Sequence, residues 1–450
     1  MTKPRSLRVV VLVLAMGMVA VAASCGRDSG SNSSNTTASS QSSGKSGTQS
    51  AGPATTDNCQ GYQAAPGVTD SSIKIGSSFP QSGLYAAFAE ISKGYLGYFQ
   101  NLNKTKGGVN GRQVNIVTRD DQYQAAKTKA NYEQLTQSDK VFALFNVVGT
   151  PNNEAIRPAQ TQQCVPNLYL ATGAASFGDP AKYPWTIGSI PTYPTEMAAF
   201  VEYLKAQKPN AKIAVLYQND DFGLGYLDSL TALVKGTKIT IVAKASYDSS
   251  NVKVETQMGQ LATSGADTLL LATTALACPS SLGALQTSTW NPKPLTYISA
   301  TCTSSTLIGI SPKGSANGVI SSIYLKDPRD PEWANDAGMK QYTTTMKAYG
   351  LSQADIDNGI VGYGYSMGEL LAYTIENAKS LTRVDVMNEA YHLKNVELGM
   401  LLPGIKINTN GAADPYPIEQ LKIGTYNGTY WNLASQLYDF EGKSGTFTPN

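Results

Sequence analysis

Two sets of residues in this 450-residue chain have the types and spacing to do chemistry. The first is Gly364-Tyr365-Ser366-Met367-Gly368, the G-x-S-x-G spacing of a strand-to-helix turn that exposes a nucleophilic serine, with Asp385 and His392 following in the order of a serine esterase triad. Its setting argues against acyl transfer. Only Ile360-Val361 precede it as strand-forming residues, and His392 follows inside a polar helical stretch rather than after further βα units. In a chain with 41 glycines such a match arises readily by chance. The second set suits binding. Ser82, Thr150 and Ser176 each stand in a loop after an expected strand and near the start of an expected helix, where unpaired N–H groups and a hydroxyl favour a carboxylate or another acceptor. Taken singly, each reads equally well as a helix cap. Tyr85 and Phe88 after the Ser82-Gly83 loop, and Phe222 between Asp221 and Gly223, offer aromatic walls for a small solute. The chain has one histidine, no Cys-x-x-Cys and no G-x-G-x-x-G after its first strand, so no cofactor and no metal are expected.

These residues need elements to hold them. Ile73-Lys74-Ile75-Gly76 is a short strand broken by Phe79-Pro80-Gln81-Ser82-Gly83. From Ala86 to Leu102, apolar residues recur at three- and four-residue steps and predict a helix, which stops at Gly107-Gly108-Val109-Asn110-Gly111-Arg112. A second strand, Gln113 to Thr118, ends in Arg119-Asp120-Asp121. The alternation continues through strands at Val141–Val148, Asn167–Ala171, Ile213–Tyr217, Ile239–Ala243, Thr268–Ala272 and Leu295–Ser299, which implies parallel sheets with right-handed crossovers. Ile187 to Pro194 reads as a crossing to a second lobe, and Ser322 to Asp327 as the return. Helical patterns cover Asn335–Tyr349 and Gly368–Ala378, and Lys422–Trp431 reads as a hairpin turning at Asn427-Gly428.

The ordered series from Ile73-Lys74-Ile75-Gly76 through Ser82-Gly83, Asn103-Lys104, Gly107-Gly108-Val109-Asn110-Gly111-Arg112 and Asp120-Asp121 resembles the leucine/isoleucine/valine-binding family, over about residues 68 to 435. The resemblance implies an α/β fold of two Rossmann-like lobes with parallel sheets, joined by a three-crossing hinge, the type I periplasmic binding protein fold. It implies a monomer that closes on a small-molecule ligand and delivers it to the permease subunits of an ABC transporter, without enzymatic activity. Thr150 and Ser176, with backbone near Ala174, fall on positions that hold the substrate carboxylate, and Phe222 on one where an aromatic closes over the ligand. Thr274 takes another aromatic position. Thr301, in Ser299-Ala300-Thr301-Cys302, stands where amino-acid-binding members place the acidic partner of the ammonium. Without that partner an ammonium loses a charge-assisted bond of roughly 1.5–3 kcal/mol. An amide, an aromatic or a simple carboxylate therefore fits at least as well as an amino acid, although Asp220, Asp221 or Glu196 could still reach the site. An envelope sensor that binds a ligand without serving a permease keeps the same fold.

The ends and cysteines bear on location. Lys3, Arg5 and Arg8, the apolar Val9–Ala23 and the small residues before Cys25 form an export signal over residues 1–24. Cys25 then becomes a lipidated amino terminus on the outer face of the cytoplasmic membrane, or is a cysteine left near an ordinary cleavage site; Ala22 stands where a lipobox usually has leucine. Residues 25–57, mostly Ser, Gly, Thr and Asn, form a flexible tether spanning roughly 30 Å. The remaining roughly 390 residues suit two cores: residues 58–190 plus 324–415 for lobe 1, and 191–323 plus 416–450 for lobe 2. Of the three pairings open to the other four cysteines, Cys278 with Cys302 is favoured because both follow neighbouring strands, leaving Cys59 with Cys164; buried free thiols are the alternative. A net charge of +2, scattered along the chain, gives no footprint for nucleic acid.

Overall fold

The computed structural model describes residues 52–447; the export signal, Cys25 and most of the tether lie outside the described residues. The first part of the chain alternates β1 (Ser72–Phe79), α1 (Glu90–Lys106), β2 (Gln113–Asp120), α2 (Ala125–Glu133), β3 (Ala143–Phe145), α3 (Thr150–Gln163), β4 (Asn167–Leu170) and β5 (Thr186–Gly188). The second continues with α4 (Tyr193–Gln207), β6 (Lys212–Gln218), α5 (Asp221–Leu233), β7 (Thr240–Tyr247), α6 (Glu255–Ala262), β8 (Thr268–Ala272), α7 (Ala277–Thr287), β9 (Leu295–Ile298), α8 (Ser305–Ile308) and β10 (Ile320–Ile323). Helices α9 (Ala337–Tyr349), α10 (Gln353–Ile356), α11 (Gly359–Asn377) and α12 (Arg383–Ala390) follow, then β11 (Gln420–Tyr426) and β12 (Trp431–Asp439).

Two sheets result. The five-stranded sheet runs β2-β1-β3-β4-β5, and the seven-stranded sheet runs β12-β11-β10-β9-β8-β6-β7. Strands β6 to β10 repeat the parallel order of β1 to β5, and antiparallel β11 and β12 extend that second sheet. In each, the first strand lies between the second and the third, so the chain leaves it in both directions and opens a crevice at the carboxyl ends. The central strands have apolar side chains on both faces: Val215, Leu216, Leu269, Leu270 and Leu271 are all fully buried.

The structure departs from the sequence pattern at three places. The apolar run Val141–Val148 yields only the short β3, because Asn146 takes a left-handed φ of 51° and bonds through Nδ2 to the Tyr169 carbonyl and the Tyr363 hydroxyl. Helix α11 begins at Gly359, not Gly368, with the Asn358 side chain capping the Ile360 N–H at 3.1 Å. The hairpin turns through four residues, with Tyr426 opposite Trp431 and the Asn427 N–H bonded to the Tyr430 carbonyl. Within the compositionally flexible stretch, Ala54 is buried and exchanges two backbone bonds with the Asn388 amide. Two disulfides, Cys59–Cys164 and Cys278–Cys302, are present. Among the described residues, no helix is long and apolar enough to cross a membrane.

Candidate functional site

The carboxyl ends of the strands wall a cavity of about 130 Å³. Exits of the first sheet bring Tyr123, Val148, Gly149 and Ala171 to it; exits of the second bring Phe222, Thr274, Thr301 and Tyr324. Ile190 comes from the segment between β5 and α4, and Lys326 and Asp327 from the segment after β10. Gly359, Ile360 and Tyr363 come from the start of α11, and Trp431 from the head of β12. The surface is mainly aliphatic and aromatic, as expected of a site that buries a small molecule.

Of the residues singled out from sequence, Phe88, Phe222, Thr274 and Thr301 line this cavity together. Phe222 is held edge-on to Tyr193 at 5.3 Å, and Asp220 fixes its backbone by accepting the Phe222 and Gly223 N–H groups. The others lie behind or beside the wall. Ser82 donates to Asp120 at 2.6 Å. Tyr85 stacks on Tyr123 at 3.9 Å and donates across the crevice to Gln218 Oε1 at 2.7 Å. The Thr150 hydroxyl is paired with Thr172 at 2.6 Å and Tyr193 at 3.2 Å, while its neighbour Gly149 faces the cavity. Ala174 donates its N–H to Thr172, and Ser176 is exposed, with its hydroxyl 3.4 Å from Glu154. Asp220 and Glu196 do not line the cavity either.

Tyr123, Tyr193, Tyr324, Tyr363, Lys326 and Asp327 were not foreseen. Tyr123 is aimed by a left-handed pair, Gln122 and Tyr123 with φ of 52° and 60°. That loop is pinned by the buried Asp121 carboxylate, which accepts from Ser78, Thr128 and the Tyr123 N–H; burial pushes Asp121 up to about 6. A left-handed φ at a tyrosine is uncommon, and such residues gather at sites. The available signal was the Asp120-Asp121 pair at the end of β2, which needs local donors once buried.

The carboxylates around the site are unevenly compensated. Glu196 on α4 is fully buried; burial pushes it up to about 7 against donors from Tyr226 at 2.7 Å, Tyr297 at 3.3 Å and the Ala300 N–H at 3.0 Å. Glu154 on α3 is raised above the usual carboxylate range by burial and by the neighbouring Asp221 of α5, so two acids meet where these helices approach. Asp327 is pushed up to about 6, mainly by burial. Away from the cavity, carboxylate oxygens of Asp414, Glu419 and Glu441 lie within 4.8 Å of one another, and Glu419 accepts from the Gly442 and Ser444 N–H groups.

The G-x-S-x-G stretch lies in the interior of α11, where the fully buried Ser366 donates to the Gly362 carbonyl of its own helix at 3.1 Å. Asp385 accepts from Ser380, and His392 Nδ1 is 2.6 Å from the Asn388 carbonyl. The three side chains thus form no triad.

The periplasmic binding protein profile matches residues 72–426. The Leu/Ile/Val-binding protein homolog 7 of Brucella abortus is 22% identical over 220 residues, which covers 46% of this chain and 53% of that protein; the chain spans about half the length of the curated relatives it matches. Among solved structures, a branched-chain amino acid ABC transporter protein from Thermus thermophilus with bound valine superposes with a TM-score of 0.73 at 17% identity, covering 83% of this chain and 97% of the other. A fatty acid ABC transporter substrate-binding protein from Thermomonospora curvata gives 0.72 at 19% identity, covering 86% and 97%. A solute-binding protein from Rhodopseudomonas palustris BisB5 in complex with 3,4-dihydroxybenzoic acid gives 0.67 at 16%, covering 82% and 97%.

Proposed function

The chain belongs to the periplasmic binding protein family, and from that premise we propose that it is the extracytoplasmic solute-binding component of an ABC importer. The observation that carries the reading is the largely apolar cavity between the carboxyl ends of two separate sheets. Bonds between the two proposed bodies, such as Tyr85 to Gln218 at 2.7 Å and Ser304 to the α11 cap Asn358 at 2.9 Å, are those expected of a closed form. Residues 58–190 plus 324–415 and residues 191–323 plus 416–450 act as the two bodies, rotating about the crossings. Phe88, Phe222, Thr274 and Thr301 contact the solute, an amino-acid-like, amide, aromatic or carboxylate molecule, while Ser82, Tyr85, Thr150, Ala174 and Ser176 hold the frame or the rim.

A thermal-shift screen across amino acids, amides and aromatic acids tests binding. A true solute at about 100 times its dissociation constant should stabilise the protein by about 2.7 kcal/mol, and small-angle scattering should show contraction on binding. Uptake of that solute by cells lacking the chain then decides import against sensing: uptake at the wild-type rate would remove the importer reading.

The membrane anchor is part of the same proposal. Cys25 carries the lipid and the Ser/Gly-rich segment after it supplies the tether, consistent with the export signal that precedes them. Cys25→Ser should abolish incorporation of labelled palmitate and move the protein from the membrane to the soluble fraction. Equal labelling of both forms would refute lipidation at Cys25.

A further inference from the structure

We propose that Asp327 selects the solute, and that the solute is a small molecule with an apolar body, aromatic or branched aliphatic, bearing an amine or hydroxyl that donates to the Asp327 carboxylate. This inference rests on the solute-binding reading above. Among the described residues that line the cavity, Lys326 and Asp327 alone carry formal charge. They are differently placed. Lys326 turns its charge away, with Nζ 2.8 Å from Asp336 Oδ1 and 2.9 Å from the Gly399 carbonyl. Asp327 has no cation within ion-pair distance among the described residues. One of its oxygens accepts from the Ser305 hydroxyl and the other from the Arg329 N–H at 3.0 Å. A carboxylate offers about four acceptor sites, so two neutral donors leave this one incompletely satisfied. Burial accordingly raises its proton affinity, and the Arg329 charge offsets that only in part.

The rest of the wall explains why the body is apolar. Phe88, Ile190, Phe222, Ile360 and Trp431 present hydrocarbon. Most hydroxyls are already engaged: Tyr193 with Thr150 and Thr172, Tyr363 with Asn146 and Ser189. Two are not. Tyr324, 8% exposed, and Thr274, 3% exposed, have no partner for their side-chain oxygens among the described residues. The cavity therefore offers one anionic pole and two neutral hydroxyls on a hydrocarbon surface. An apolar acid without a donor brings a second negative charge to that pole. An amine or hydroxyl on the same body completes the carboxylate's shell in a charge-assisted bond.

The source of the donor, cationic or neutral, is left to the experiment. Calorimetry on the purified protein compares 2-phenylethylamine, 4-ethylphenol, leucine and 3-phenylpropanoate, then repeats the series on Asp327→Asn and Asp327→Ala. Donor-bearing probes should bind at least about 10-fold more tightly than 3-phenylpropanoate, and Asp327→Ala should abolish that preference. If the donor is an ammonium, Asp327→Asn should weaken binding about as much as Asp327→Ala; if it is a hydroxyl, the asparagine carbonyl should retain most of the affinity. Comparison of the probes on the unaltered protein stands even if a variant fails to fold. A preference for 3-phenylpropanoate, or equal binding by Asp327→Ala, would overturn the role of Asp327 and leave solute binding intact. Failure of every probe and of the broader screen would overturn both.

Discussion

Gly364→Ala is expected to destabilise the protein by about 3 kcal/mol or more, although the residue lies in a helix, where alanine is normally the better choice. A Cβ on Gly364 would stand 1.9 Å from the Ile91 carbonyl oxygen, and one on Gly94 2.1 Å from the Val361 carbonyl oxygen. The obstacles are backbone atoms of α1 and α11, so no rotamer change relieves the clash. The helices must separate, loosening the edge-on contacts of Tyr365 with Tyr98 and Tyr342, both at 5.3 Å. Gly259, exposed on α6 with nothing within 4 Å of a built Cβ, is the control, and Gly259→Ala should gain up to about 1 kcal/mol. Because one separation relieves both clashes, Gly94→Ala with Gly364→Ala should cost less than the sum of the single changes. Urea unfolding of the four proteins measures this. A Gly364→Ala variant as stable as the parent would show that the crossing yields freely. Ile91, Ile360 and Tyr363 on these helices also face the cavity, so the same variant should bind solute more weakly.

That crossing also explains what could be read from the sequence and what could not. The two sheets follow from alternating apolar runs and their breakers, which are local signals. The start of α11 does not. Gly359, Gly362 and Gly364 depress helix propensity, and for Gly364 the reason is the backbone of α1, some 270 positions away in sequence (Gly364 against Gly94), whereas Gly359 and Gly362 face Ser304 and Met400. The site divides the same way. Phe222 follows a strand and is fixed by Asp220 two positions earlier, so its place on the wall was legible. Thr150 has the right helix start, yet its hydroxyl is taken by Thr172 and Tyr193. Asp327 shows nothing unusual in sequence. Its importance comes from Lys326 turning toward Asp336 and from the cavity that the second sheet closes beside it.

Opening the Cys59–Cys164 disulfide is expected to cost about 4.7 kcal/mol, against about 3.4 kcal/mol for Cys278–Cys302, if the bonds act mainly by restricting the unfolded chain. The difference comes from loop length: the first closes 105 residues and the second 24. The longer loop encloses β1 to β3 with α1 to α3 and fastens the segment before β1 to the end of α3, where Cys164 takes a left-handed φ of 52°. Other ties hold that segment too: Gln60 N–H to the Gln162 carbonyl at 2.7 Å, and Ala54 to Asn388. These ties decide between two outcomes. If the segment stays docked without the bond, Cys59→Ser with Cys164→Ala lowers the midpoint of global unfolding and leaves amide exchange over residues 52–68 slow. If the segment depends on the bond, it detaches first, its amides exchange rapidly, and the global midpoint falls by less than in the Cys278→Ala with Cys302→Ala variant. The first outcome is expected, because a buried Ala54 and paired backbone groups give the segment native contacts of its own. The second would locate the stabilisation in the strap rather than in the unfolded chain.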